Sequence, residues 1–190
     1  YKLVLKNILE RLFAIIVIII ASPIILSSIF IISITSRGFP IFYQERVGLR
    51  GRTFKQYKLR TMVSNAENIK EDLLTLNELE GPIFKIQDDP RVTFIGKLLR
   101  KFSIDELPQF FNALKGDMNV VGPRPYPVSE VEKFEESDYY RRHSMKPGIT
   151  GLWQIKGRNK KLKFKDCINL DLEYIDNWSF KTDIYIIFMT

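Results

Sequence analysis

The sequence predicts an α+β chain that is mostly helical and enters a membrane near its N-terminus, and three observations carry that prediction. Residues 12–34, LFAIIVIIIASPIILSSIFIISI, hold no charged side chain. Two β-leaning runs then flank Gly48 and Gly51, the pattern of a hairpin with a short loop. Beyond the hairpin, apolar residues recur mostly at helical spacing.

The apolar run comes first in the chain. At ~1.5 Å per residue it is long enough to cross a bilayer core of ~30 Å. It is too long for a cleavable signal peptide, and no short polar cleavage region follows it. Pro23 stands at its middle and removes the amide that would bond the carbonyl of Ile19, while the Ser22 hydroxyl can cover that loss. Lys2, Lys6 and Arg11 precede the run, and Arg37, Arg46, Arg50 and Arg52 follow it. Cytoplasmic ends attract Lys and Arg, and here both ends qualify. A helix-break-helix that dips in at Ser22-Pro23 and returns satisfies both flanks; a bent spanning helix satisfies one. The expectation is a re-entrant membrane element over residues 1–36 and a cytoplasmic domain over residues 37–190.

The hairpin pairs residues 41–46 with residues 53–61. Alternation puts Phe54, Gln56, Lys58 and Arg60 on one face, with Tyr57 and Leu59 on the other. Ser64 caps an amphipathic helix predicted over residues 65–79, in which Ile69, Leu73, Leu76 and Leu79 keep near-helical spacing. The stretch GPIFKIQDDPRVT is a turn-rich strand or loop, with Asp88-Asp89 as turn formers before Pro90. A helix capped at Thr93 follows and projects Lys97, Arg100 and Lys101 toward its end.

A second helix is expected from the acidic pair of SIDELPQ to Lys115, stopping at Gly116. Pro108 is tolerated only in its first turn, which confines Asp105 and Glu106 to the helix N-terminus. Two readings of that pair stand open. Ser103 and Glu106 match a capping box, with Asp105 complementing the helix dipole. Alternatively, an ionised Asp105 is a competent nucleophile toward phosphorus, and Mg²⁺ commonly takes one or two carboxylates plus substrate phosphates. Next, Arg124 lies between Pro123 and Pro125, a stiff frame that presents one guanidinium, the side chain best shaped for phosphate. VSEVEKFEESDYYRRHSM is predicted as one helix, with His143 at its end. KPGITGLWQIKGR is a turn, an apolar run with Trp153 in or near the core, and a second turn closing on Arg158. In the last segment Asp166, Asp171 and Asp176 recur every five residues and so do not share a helix face.

Totals narrow the partners. Twenty-nine basic against 22 acidic residues give a formal charge of +7, which favours anionic ligands. No nucleic-acid module is recognisable, so nucleic acid is not expected. A single cysteine, Cys167, excludes an internal disulfide and makes a reducing compartment the default. The start without Met and the apolar end IIFMT suggest a piece of something longer, with a C-terminal tail missing.

The order of these pieces resembles the bacterial sugar transferase family of monotopic phosphoglycosyl transferases. The matching stretches are Ser22-Pro23 in the membrane segment, QERVGLRGRTFKQYKLRTM, LLRKFSIDELPQFFNALKGDMNVVGPRP, KPGITGLWQIKGR and LDLEYIDNWS, in family order across nearly the whole chain. The resemblance implies transfer of a sugar-1-phosphate from a UDP-sugar to polyprenyl phosphate. Asp105 would form a covalent phosphosugar intermediate, with UMP released. It implies Mg²⁺ held by Asp105 and Glu106, with Glu106 as metal ligand or as base. Lys58, Arg100, Arg124 and Arg158 would contact phosphates or substrate, and Asp171 would be a further functional acid. Leu59 stands where the family pattern has Phe, and Phe102 where a smaller residue is usual.

It also implies interfacial amphipathic helices around the site, membrane lipid as a partner and a place on the cytoplasmic face of the bacterial inner membrane. The GPIFKIQDDPRVT stretch looks like the large members, which carry further N-terminal parts and can pair as homodimers. Two rivals stay open: a membrane-bound phosphatase or nucleotide-sugar hydrolase using the same Asp, and a non-catalytic basic anchor that docks a partner.

Overall fold

A computed structural model describes residues 1–77, 84, 86, 88–134, 137–157 and 163–190. The chain opens with one long helix, α1 (Lys2–Thr35), which contains Pro23. Where a helix-break-helix is expected at Ser22-Pro23, α1 stays helical through both residues. Ser22 Oγ donates to the Ile19 carbonyl at 2.8 Å, supplying the bond that proline cannot make. Lys6, Ala14, Ala21, Ile25, Ser28 and Ile32 are buried and fall within an arc of about 100° at 3.6 residues per turn. The opposite faces leave Ile16, Ile19, Ile20, Leu26 and Phe30 exposed.

Both ends of α1 are fastened to the remainder of the molecule. Near the start, Lys6 Nζ donates to Asp183 at 2.6 Å, and Glu10 accepts from the amides of Val120 and Val121 at 3.2 Å each. Near the end, Ile32 packs with Leu59 and Leu99, and Arg60 donates to the Ser36 carbonyl at 2.9 Å.

The hairpin forms as expected from β1 (Ile41–Val47) and β2 (Thr53–Leu59), antiparallel, with Gln44 opposite Gln56 and Phe42 opposite Lys58. The amphipathic helix predicted over 65–79 is not formed. Turns and a 3₁₀ segment, Glu71–Leu76, take its place, and residues 78 and 79 lie outside the described set. Of its apolar stripe Ile69 and Leu73 are only half-buried and Leu76 is exposed, and Asn65 and Asn68 favour local turns. Asp89 is a turn former as expected, accepting from the Arg91 amide at 3.0 Å. The rest of GPIFKIQDDPRVT falls largely outside the described residues.

Helix α2 (Phe94–Lys101) is capped by Thr93, whose Oγ1 accepts from the Gly96 amide at 2.9 Å. A Cβ on Gly96 would stand 2.0 Å from the Thr61 carbonyl oxygen, so glycine lets α2 sit directly on the end of the hairpin. The second predicted helix divides in two. Ile104–Glu106 is a 3₁₀ turn, Pro108 caps, and α3 (Gln109–Lys115) stops at Gly116 with φ 90°.

Strand β3 (Asn119–Val121) leads to Arg124, and α4 (Val128–Val131) follows it. The single helix predicted through His143 is instead α4 and a 3₁₀ segment, Ser137–Ser144. His143 lies in the last turn of that segment. Burial and neighbouring Arg142 push its pKa down to about 4, so it is neutral at physiological pH. The apolar run after Lys146 becomes β4 (Gly148–Thr150), parallel to β3, and α5 (Leu152–Gly157). Helices α6 (Phe164–Asp176) and α7 (Phe180–Met189) close the chain. Val120, Val121, Met145, Leu152, Tyr174 and Ile186 form the core under β3.

Candidate active site

A cavity of about 520 Å³ opens between the hairpin, α2, the 3₁₀ turn and the loop after β3. Lys58, Arg100, Asp105, Glu106 and Arg124 all line it, so five of the residues singled out in the sequence converge. Three do not. Ser22 and Pro23 lie on α1 away from its wall, and Asp171 is sealed beneath it. Arg158 lies outside the described residues.

Asp105 is brought to the wall by local backbone geometry. Ser103 adopts φ 55°, ψ 22°, a left-handed conformation that a serine holds at some cost, and the chain turns sharply between α2 and the 3₁₀ turn. The capping-box reading fails here. Ser103 makes no side-chain cap bond, and the Glu106 carboxylate binds Lys58 Nζ at 2.7 Å instead. Asp105 is 7% exposed and has no ion pair among the described residues.

Environment separates the two acids. Burial raises the Asp105 carboxyl above its ordinary range, aided by the adjacent Glu106 charge and opposed by Lys58 and Arg100. Burial also pushes Glu106 up, but Lys58, Arg124 and hydrogen bonds from Lys58 and Gln109 outweigh it and hold Glu106 below its ordinary range. Neighbouring carboxyls pushed in opposite directions are suited to different tasks. Glu106 stays a fixed anion, while Asp105 is the more basic of the two.

The cations are held from behind. Arg100 Nε donates to Thr61 Oγ1 at 2.9 Å. The Arg124 guanidinium lies over the Trp153 ring, 4.9 Å from its centroid, so Trp153 supports the site rather than simply filling core. Arg142, itself buried, donates to both the Arg124 carbonyl and the Asp171 carboxylate and stacks on Tyr126 at 4.2 Å. Burial, against the pull of Arg142 and the Arg124 amide, pushes Asp171 up to about 6. Asp171 therefore meets the site only through Arg142 and the Arg124 backbone.

Sequence reasoning missed Arg46 and Glu130, which also line the cavity. The signal for Arg46 was available. Alternation on β1 puts Phe42, Gln44 and Arg46 on one face, and the hairpin register sets Phe42 and Gln44 opposite Lys58 and Gln56.

The donors at this site are hard oxygens, which suit Mg²⁺. Among the described residues no group of three or more His, Cys, Asp or Glu side chains could hold a metal alone. Asp105 and Glu106 fit a cation whose remaining ligands are water and substrate phosphate.

A family model described as bacterial sugar transferase matches residues 1–190. The chain is 56% identical over 153 residues to a galactosyl transferase, CpsE, of Streptococcus agalactiae, covering 80% of this chain and 34% of that protein. It is 40% identical over 192 residues to an undecaprenyl-phosphate galactose phosphotransferase of Salmonella typhimurium, covering 98% and 39%. It is 40% identical over 195 residues to a UDP-glucose:undecaprenyl-phosphate glucose-1-phosphate transferase of Klebsiella pneumoniae, covering 100% and 40%. The chain thus spans between a third and two-fifths of the length of these relatives.

Proposed function

This chain belongs to the bacterial sugar transferase family, and on that premise we propose that it transfers a sugar-1-phosphate from a UDP-sugar to polyprenyl phosphate, an opening membrane step of polysaccharide assembly. The observation that carries this reading is Asp105: an enclosed carboxylate without an ion pair among the described residues, on the wall of a cavity that Lys58, Arg100 and Arg124 also line. The name of the Klebsiella pneumoniae relative supports both a UDP-sugar donor and an undecaprenyl phosphate acceptor, and that of the Salmonella typhimurium relative supports the acceptor.

In the first step an Asp105 oxygen attacks the sugar-linked phosphorus. The bond between that phosphorus and the bridging oxygen breaks, and UMP departs with the bridging oxygen and its electron pair. In the second step an oxygen of polyprenyl phosphate attacks the same phosphorus. The Asp105–phosphorus bond breaks, and the carboxylate is restored as the lipid-linked sugar diphosphate forms. Lys58, Arg100 and Arg124 balance phosphate charge, and Glu106 stays ionised beside them. Mg²⁺ held by Asp105 and Glu106 would neutralise further diphosphate charge.

The membrane part of the proposal is a monotopic arrangement on the cytoplasmic face of the inner membrane, in which α1 bends at Pro23 within its continuous helix and returns to the side it entered. Its support is that Lys6 and Ser36 both bond the same folded domain. A straight spanning helix would carry these anchors to opposite surfaces, since Lys6 to Ser36 covers ~45 Å at 1.5 Å per residue. Exposed Phe94, Leu98 and Phe102 on and beside α2, and Ile184, Tyr185 and Phe188 on α7, supply apolar surface for the lipid interface. Cysteines placed at Lys2 and Arg37 should both label from one side; labelling from opposite sides removes the re-entrant arrangement.

The purified chain, incubated with Mg²⁺ and a UDP-sugar, should release UMP and carry a phosphosugar mass on Asp105. Added polyprenyl phosphate should then discharge it to a lipid-linked sugar diphosphate. Release of free sugar phosphate regardless of lipid identifies a hydrolase instead, and absence of the adduct in folded protein removes the covalent mechanism.

A further inference from the structure

Arg46 is held in place by its backbone as well as its side chain. The Val47 amide donates to the Tyr126 carbonyl at 3.0 Å, and Arg46 itself forms an isolated antiparallel bridge with Pro127. These bonds extend β1 alongside the segment that carries Arg124. The Arg46 Nη1 then donates to the Pro125 carbonyl at 3.0 Å. Its Nε is enclosed by protein and has no partner among the described residues. An enclosed guanidinium nitrogen without an acceptor is costly, and the cost is removed when an acceptor arrives.

Arg46 also lines a place suited to such an acceptor. A small hollow, with room for about one water-sized atom at ~10 Å³, is bounded by Arg46, Lys58, Glu106, Gln109, Arg124 and Pro125. Arg46, Lys58, Glu106 and Arg124 also line the large cavity, so the hollow lies beside it and shares its floor. No carboxylate pairs with Arg46 among the described residues. Burial and the neighbouring Arg124 guanidinium push Arg46 down to about 10, with Glu130 and Glu106 acting the other way. Glu106 also bounds the hollow, but its carboxylate is paired with Lys58 at 2.7 Å, and the two guanidiniums beside that neutralised pair form a place for an anion.

We propose that Arg46 is a phosphate ligand of this site, closing with Lys58 and Arg124 a hollow that takes one phosphoryl oxygen of a nucleoside diphosphate. The proposal rests on the phosphoryl-transfer reading above and adds a ligand to it. A purely structural role would need only the bond to Pro125, which a single donor can make. A guanidinium serves both acceptors at once, through Nη1 to the carbonyl and through Nε to the phosphoryl oxygen.

The test is direct binding of UDP and of uridine to the full chain in detergent, in wild type, Arg46→Gln and Arg46→Lys, with melting temperatures measured in parallel. Loss of a charge-assisted hydrogen bond should weaken UDP binding about tenfold or more in Arg46→Gln. Uridine binding should be unchanged. Arg46→Lys keeps the charge and one donor, and should fall between the two at a wild-type melting temperature. In turnover the KM for UDP-sugar should rise while that for polyprenyl phosphate stays. Equal UDP affinity in wild type and Arg46→Gln overturns the assignment and leaves the transferase reading standing, as does an equal loss for UDP and uridine. If Arg46→Gln does not fold, Arg46→Lys carries the same comparison. A wild type that does not distinguish UDP from uridine removes the phosphate site altogether, and this inference with it.

Discussion

Two clusters in this molecule are built from the same parts, one lysine and two acids, and they do opposite things. At the base of α1, Lys6 meets Glu10 at 2.8 Å and Asp183 at 2.6 Å. Tyr174 and Trp178 donate to Asp183 at 2.6 and 2.9 Å, and Glu10 receives the amides of β3. At the cavity, Lys58 meets Glu106 at 2.7 Å, while Asp105 has no ion pair among the described residues. The first cluster is closed, with Lys6 only 1% exposed; the second opens on a volume that can admit a ligand. A buried polar network whose members are all bonded ties elements together, here α1 to β3 and α7. One left with an unpaired carboxylate beside a cavity retains the capacity to react.

The sharpest way to break this comparison is Asp105→Asn. The amide keeps the shape and removes the nucleophile, so sugar-phosphate transfer should fall by at least about a thousandfold. The melting temperature should hardly move, because Asp105 makes no ion pair among the described residues. Wild-type transfer rates in this variant would return the acidic pair to a structural role.

Lys6→Met should show the reverse pattern. It leaves Glu10 and Asp183 without their counter-charge in a buried place, a loss of about 3–5 kcal/mol by analogy with other buried pairs. Thermal unfolding in detergent reads it. The double variant Lys6→Met with Asp183→Asn should recover part of that loss, since one stranded charge is gone. If the single variant melts like wild type, the closed cluster is not what holds α1 to the domain.

Lys58→Met tests the cavity electrostatics at smaller amplitude. Only the ionised form of Asp105 can attack, and burial raises its carboxyl, so activity should fall with acidification at a pH above that for an exposed Asp. Lys58 opposes that rise, and its removal should move the acid limb further up and lower the rate at neutral pH. Stability should change by no more than about 1 kcal/mol, because the Lys58–Glu106 pair is only partly enclosed, at 23% and 28% exposure. An acid limb that stays in place would show that Lys58 does not act on Asp105.

Much of this was legible in the order of residues. The hairpin, the Thr93 cap, the stop at Gly116, the Ser22 hydroxyl on Ile19 and the turn at Asp89 all arise from neighbours within a few positions, and all stand in the structure. The helix expected over 65–79 was misjudged because periodicity promises an apolar face without supplying a surface to cover it. Ser103 and Glu106 match a capping box in spacing, but a lysine on β2 competes for the glutamate, and no local pattern records that.

By itself the sequence determined the family, the uncharged membrane-seeking stretch and the positions of the acidic pair and the Pro-flanked arginine, because each is written in composition or short spacing. Only the tertiary structure decided that Arg46, Lys58, Asp105 and Arg124 share one cavity, that Asp171 is buried against Arg142, and that both ends of α1 fasten to one domain. These facts depend on which distant segments pack together, and that packing sets which acid is paired and which faces the cavity without a counter-charge among the described residues.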